Sequence, residues 1–305
     1  MSLYQKGLST EPKVIAHRGA GKSAPENTLV AFRHAFQEGY RYFTCDIRCS
    51  EDRELFLLHD ADLERTTNGY GRADEMSWDH LSKLEAGSYY SPLYMGESIP
   101  RFEAVVNFMI SNYCRLNIEV KSGVIDDREL GQIVAERLYR KIIDRLDACV
   151  DILFDEDLDR LFERLFNEML DGPTDYCIKN QFLITSSSPL ILEGAFAAQP
   201  WIPRGYIVDP VDDRFSDRKV NSEVDRDVDR DVDREVLFSL LKSLKCSALI
   251  IPKEFVTPQL VERCRQENYL LFVTGVDEII EIDQLLKMGV DSVITDNINA
   301  AACFS

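Results

Sequence analysis

The sequence predicts an α/β protein, a (β/α)8 or TIM barrel with a small insertion module after the second strand. Eight apolar runs of strand length alternate with helical stretches along the 305 residues. That alternation belongs to a parallel sheet whose crossover helices pack outside it. Several of the runs close on ionisable residues, and barrel sites lie at the C-terminal ends of the strands. The composition is 45% apolar, enough to fill the core of one domain of roughly 250 residues with additions, or equally of two smaller ones. A doubly wound open sheet is the structural alternative.

Strands are expected near 14–17, 42–47, 116–120, 181–185, 205–208, 248–251, 270–274 and 292–295. Helices are expected near 28–38, 101–111, 128–146, 155–170, 190–198, 236–244, 258–267 and 278–288. The first helix begins behind Pro25-Glu26-Asn27-Thr28, with polar caps and an acid in the first turn, and stops at Gly39. Only eight residues separate Asp46 from Leu55, too few for a parallel crossover with its helix. Residues 50–100 are therefore an excursion from a barrel that spans 11–300. It begins as a hairpin-like strand and continues as a Gly- and Tyr-rich region folding back over the strand ends.

Two acidic segments, 124–175 and 210–236, read as additions. In the first, Leu158, Leu161, Phe162, Leu165, Phe166 and Met169 keep helical spacing, a single apolar stripe suited to the barrel's exterior. In the second, SEVDRDVDRDVDREV places Val224, Val228, Val232 and Val236 four apart among alternating Asp and Arg. Local ion pairs of that kind suit a solvated helix extension or a loop.

The formal charge of −18 opposes binding to nucleic acid or to an anionic membrane surface. No stretch approaches the roughly 20 apolar residues of a membrane span. The opening MSLYQKGLST lacks the apolar core of a signal peptide. The eight cysteines are scattered, without CxxC spacing, and read as buried free thiols of a reducing compartment, so a cytoplasmic location is expected.

His17 ends the run VIAHRG and His59 ends LFLLHD. Two strand ends that deliver imidazoles, whose pKa lies near neutrality, suggest a pair of proton carriers around one reacting centre. His34 lies in the amphipathic helix and His80 in a polar stretch; both suit solvated or capping roles. Arg18 follows His17, and Lys121 closes LNIEVK; Arg offers phosphate a bidentate fork and Lys a point charge. Asp46 and Glu119 close neighbouring strands and could hold a hard cation that neutralises phosphate charge. The alternative is a set of ion pairs with Arg18 and Lys121 and no metal.

These motifs make the chain resemble the glycerophosphodiester phosphodiesterase family, a phospholipase-C-like barrel. The matching stretches are IAHRGA, APENTLVAF, LFLLHDADLERTTNGYG, GESIP and NIEVK, with weaker matches at IPRG and GVDSVITD. They cover nearly the whole chain apart from the two acidic segments. The resemblance implies that His17 and His59 are the acid/base pair, that Arg18 and Lys121 bind phosphate, and that Glu26 and Asn27 support the site. It also implies a Mg²⁺ or Ca²⁺ ion held by an E-x-D pair and by Glu119, and an insertion module at 50–100.

The chain departs from that pattern at three places. Where E-x-D is expected it reads Thr44-Cys45-Asp46. Alternation puts Thr44 on the face of Asp46 and turns Cys45 toward the helices. Losing a unit charge about 4 Å from a cation, at an effective dielectric near 20, is worth roughly 4 kcal/mol before solvation offsets it. Ser187 and Thr274 stand where pocket aromatics are expected. The expected activity is metal-dependent hydrolysis of a glycerophosphodiester, a small-molecule substrate, to glycerol 3-phosphate and an alcohol, with Glu97 of GESIP reaching the polar head. Two rival readings are a catalytically weakened phosphodiester-binding barrel and a hydrolase retuned to another phosphodiester or lipid head group.

Overall fold

A computed structural model describes residues 12–150, 181–209 and 234–304. Eight parallel strands close into a barrel: β1 (Val14–Ala16), β2 (Tyr42–Cys49), β4 (Arg115–Val120), β5 (Phe182–Ser186), β6 (Arg204–Ile207), β7 (Ala248–Pro252), β8 (Leu270–Thr274) and β9 (Ser292–Thr295). β1 pairs with β2 through Ala16 and Phe43 and with β9 through Ile15 and Ile294, which shuts the ring. All eight expected strands are present. Strand alternation divides the core in two. Ile15, Tyr42, Leu183, Ala248, Ile250, Leu270, Phe272 and Ile294 fill the barrel, where Tyr42 meets Phe272 edge-on at 6.0 Å. Their neighbours Phe43, Cys45, Ile47, Leu116, Ile118 and Ile184 point outward into the layer beneath the helices. Each fully buried side chain of this size contributes about 1.5–3 kcal/mol relative to exposure.

The helices are α1 (Leu29–Gln37), α2 (Trp78–Leu81), α3 (Phe102–Ser111), α4 (Asp127–Val150), α5 (Pro189–Ala198), α6 (234–243), α7 (Pro258–Gln266), α8 (Ile279–Met288) and α9 (Ala301–Phe304). α1 starts as its sequence dictates: the Thr28 hydroxyl accepts from Ala31 N–H, and Gly39 at φ +97 ends it. α4 corrects the reading of 124–175 as wholly an addition. Its buried Leu130, Val134, Ala135, Leu138 and Ile142 belong to the outer core. It also crosses α5 so closely that a Cβ on Gly131 would stand 2.0 Å from the Ile191 carbonyl oxygen. The segment therefore begins as an ordinary crossover helix of the barrel. The apolar stripe at 158–169 and most of the Asp-Arg repeat fall outside the described residues.

The excursion after β2 is as expected. β3 (Leu55–Leu57) runs antiparallel to β2, with Leu57 opposite Ile47. The module then builds its own small core from Phe56, Leu58, Leu63, Ala73, Leu81, Ala86 and Ile99. It is tied to the barrel mouth by two tyrosines. Glu26 N–H donates to the Tyr89 hydroxyl at 2.8 Å, and the Tyr90 hydroxyl donates to the Lys22 carbonyl at 2.8 Å. Among the described residues no helix is long and apolar enough to cross a membrane.

Candidate active site

The chain leaves β1 at His17 and turns at once. Arg18 has φ +48, a left-handed conformation strained for an arginine. Two hydrogen bonds hold it: Arg18 N–H donates to the Thr44 hydroxyl oxygen at 2.9 Å, and Asn27 N–H donates to the Arg18 carbonyl at 2.9 Å. The turn delivers both side chains to the C-terminal mouth of the barrel.

His17 Nδ1 lies 2.7 Å from Asp296 Oδ1, on the residue that follows β9. His59, two residues beyond β3, repeats the arrangement with Nδ1 2.7 Å from Asp60 Oδ1. Both carboxylates are held ionised. Burial would raise Asp296, but the hydrogen bond from His17, the imidazole's charge and Lys22 bring it below the ordinary value. Arg65, bonded to Asp60, draws that carboxyl down to about 2. An ionised carboxylate only accepts, so each Nδ1 carries the proton and each Nε2 is the nitrogen left for a reacting atom. The two side chains are each 32% exposed, neither buried away from solvent. Burial, with Lys121 and Arg18 adding to it, lowers the His59 pKa below 6.5 against the opposing pull of Asp46. Arg48 fixes the loop behind His59 by donating from Nε and Nη2 to its carbonyl oxygen at 3.1 and 2.8 Å.

The two histidines flank one cluster of charges at the ends of β1, β2 and β4. Asp46 is 2% exposed. Asn27 clasps it, giving Nδ2–H to Oδ2 at 2.9 Å and accepting Asp46 N–H on Oδ1 at 3.0 Å. Arg18 Nε lies 3.1 Å from Asp46 Oδ2, and Arg18 Nη1 donates to Glu26 Oε1 at 3.0 Å. Lys121 Nζ stands between the carboxylates, 3.2 Å from Asp46 Oδ1 and ion-paired with Glu119 Oε1. Burial opposes the Asp46 charge, but Lys121 and Arg18 outweigh it and hold the carboxyl well below the ordinary carboxylate range. Lys121 is raised in turn: Asp46 and Glu119 overcome its own burial.

The structure thus brings His17, Arg18, Glu26, Asn27, Thr44, Asp46, His59, Glu119 and Lys121 to one place. Glu97 is not joined to them; its backbone bonds Ala86 and Tyr94 within the module, and no hydrogen bond or ion pair of its side chain reaches the cluster. Three participants were not singled out from sequence. Asp296 and Asp60 lie inside motifs already noted, GVDSVITD and LFLLHD. Arg65, from LERTTNGYG, clamps Glu26 with Nη1 and Nη2 at 2.8 Å each and also holds Asp60.

Mg²⁺ or Ca²⁺ would need free carboxylate oxygens here, with water and substrate completing the shell, and the candidate oxygens are already engaged. Among the described residues no group of three His, Cys, Asp or Glu side chains is placed to hold a metal. The Thr44 hydroxyl oxygen already accepts Arg18 N–H. Asp46 is engaged on both oxygens and Glu119 on one. The hard-cation site expected at Asp46 and Glu119, with Thr44 standing in the place of the missing glutamate, does not fit the residues as they are paired here.

Comparison with known proteins agrees with the fold and the motifs. The model of the glycerophosphoryl diester phosphodiesterase family matches residues 17–300. The glycerophosphodiester phosphodiesterase of Caldanaerobacter subterraneus subsp. tengcongensis is 25% identical over 291 residues, 93% of each chain. That of Bacillus subtilis is 31% identical over 133 residues, 40% of this chain and 45% of the other. An Oleispira antarctica phosphodiesterase in complex with its product sn-glycerol-3-phosphate superposes with a TM-score of 0.68 at 24% identity, covering 96% of both chains. A glycerophosphodiester phosphodiesterase from Agrobacterium tumefaciens superposes with a TM-score of 0.64 at 22% identity, covering 95% of this chain and 99% of that one.

Proposed function

The chain belongs to the glycerophosphoryl diester phosphodiesterase family, whose members are phosphoric diester hydrolases, and we propose that it cleaves glycerophosphodiesters by acid/base catalysis between His59 and His17. The products are sn-glycerol 3-phosphate and an alcohol. One observation carries the assignment: each imidazole has Nδ1 committed to an ionised carboxylate, which leaves its Nε2 for a reacting atom.

Each histidine has its own part. His59 is neutral at pH 7, because burial and the nearby cations disfavour its charged form. Its Nε2 takes the proton of the attacking oxygen; water gives glycerol 3-phosphate directly, whereas the substrate's own glycerol hydroxyl gives a cyclic glycerol phosphate that a water then opens by the same exchange of protons. His17, held at Nδ1 by Asp296, is the proton donor. As the new P–O bond forms, the leaving P–O bond breaks, and His17 Nε2–H protonates the departing alkoxide. Arg18 has further N–H donors beyond those facing Asp46 and Glu26, and Lys121 has a third beyond Asp46 and Glu119. These donors meet the phosphate oxygens as charge develops on them. Glu26 and Asn27 hold Arg18 and Asp46 in place. Five buried cysteines among the described residues, Cys45, Cys49, Cys114, Cys246 and Cys264, form no disulfide, which fits a reducing cytoplasm.

Release of glycerol 3-phosphate from glycerophosphocholine tests the reading. His17→Ala and His59→Ala should each lower kcat by about 10²–10⁴-fold. Tight binding of diesters without turnover by the wild type would mean a binding barrel instead. Turnover confined to diesters lacking a glycerol moiety would mean a hydrolase retuned at its pocket.

A further inference from the structure

We infer that Thr44 has removed the divalent-cation site from this barrel mouth and that the Lys121 ammonium, with the Arg18 guanidinium, supplies the positive charge that meets the phosphate. The inference deepens the phosphodiesterase reading and rests on it for the identity of the anion.

Charge balance comes first. Two carboxylates, Asp46 and Glu119, face two cations, Lys121 and Arg18, and Glu26 pairs with the second of these. Lys121 and Arg18 thus already match the charges of Asp46 and Glu119, and Arg65 shares Glu26. A divalent ion entering between Asp46 and Glu119 would have to displace Lys121 from both, leaving an ammonium with its strands fixed beside the new charge.

Ligand supply comes second. The inward position next to Asp46 on β2 is a neutral hydroxyl, and that hydroxyl has another task. Its oxygen accepts the N–H of Arg18 and so steadies the left-handed turn that aims His17 and Arg18 into the mouth. Thr44 is therefore part of the cation-presenting device and not a spare ligand. The next residue offers no substitute, since Cys45 is fully buried among the outward-facing core side chains. Asp46 is clasped by Asn27 through both a donor and an acceptor, which locks its carboxylate toward the two cations.

Mn²⁺ titration of the full chain, followed by electron paramagnetic resonance, provides a readout independent of turnover. The wild type should show no saturable site up to about 1 mM, whereas Thr44→Glu should gain one. Calorimetry in EDTA should still detect sn-glycerol 3-phosphate binding to the wild type, weakened at least tenfold in Lys121→Met. A wild-type Mn²⁺ site that disappears in Glu119→Gln would overturn the inference. So would product binding that EDTA abolishes and Mg²⁺ restores. A folded Thr44→Glu protein without a site would overturn the role given to position 44. If no diester is hydrolysed, the proposed activity fails, while the Mn²⁺ and product titrations still judge the charge assignment.

Discussion

Asp296 accepts a hydrogen bond from His17 across 279 residues of sequence, Oδ1 to Nδ1 at 2.7 Å. The contact exists because β9 lies beside β1 in the closed ring, so the residues after both strands meet. Asp277 buttresses it by accepting Asp296 N–H at 2.9 Å, and Lys22 bridges the two carboxylates at 2.6 and 3.6 Å. Asp296 is a positioning residue that fixes the ring and selects its tautomer. Asp296→Asn should lower kcat by at least about tenfold with KM little changed, within the range set by loss of a histidine's orienting carboxylate. An unchanged kcat would show that Asp296 is only structural.

The acidic limb of the pH profile belongs to His59. Burial lowers its pKa below 6.5, and a general base works only when deprotonated. Activity should therefore stay high through neutrality and fall as pH drops through that lowered value. Asp60→Asn removes a group that favours the charged form of His59, so the limb should move to still lower pH. A limb above 6.5 in kcat/KM would assign it to another group.

Asp46 links catalysis to stability. Its carboxyl ordinarily titrates at 3.8 but is held lower in the fold by Lys121 and Arg18. A depressed carboxylate stabilises the fold above its unfolded pKa, and that contribution is lost as pH falls through the folded value. The protein should lose this contribution only on acidification below 3.8. Asp46→Asn leaves two cations without their buried partner and should cost about 3–5 kcal/mol in denaturant unfolding at pH 7. It should also abolish the acid-dependent loss assigned here to Asp46.

Arg65 ties the insertion module to the catalytic mouth through Glu26 and Asp60. Its side chain is 46% exposed, so Arg65→Ala should cost no more than about 1 kcal/mol of global stability. Activity should fall more than stability does, because Glu26 and Asp60 both lose the partner that keeps them low. Equal effects on the two would reduce the residue to a surface tie.

Every barrel strand was legible because buried parallel strands write themselves as short apolar runs, and the two histidines stood out as polar ends of such runs. What joins distant ends was not legible. The His17–Asp296 bond depends on ring closure, and the Arg65–Glu26 clamp depends on how far the module folds back. Lys121 was read as a phosphate ligand from its neighbours in sequence. Its place between Asp46 and Glu119 follows from the β2–β4 register, in which those carboxylates are directly paired. The helix near 128–146 was legible, but the acidic composition of 124–175 grouped it with an addition, and its buried apolar face makes it a crossover helix of the barrel.

Gly21 offers a test of the His17 geometry that touches no charged group. It sits at φ +55 with its Cα against the backbone of Asp296, where an added Cβ would lie 2.3 Å from the Asp296 Cα. Both the backbone conformation and the space demand glycine. Backbone cannot swing aside as a flexible side chain can, so Gly21→Ala must move either the loop after β1 or the carboxylate that orients His17. The variant should lose activity to the extent that Asp296→Asn does, even though no ionisable group has changed, and the two substitutions should be strongly non-additive when combined. Additive losses in the double variant would mean that the loop supports the site by a route other than the His17–Asp296 bond.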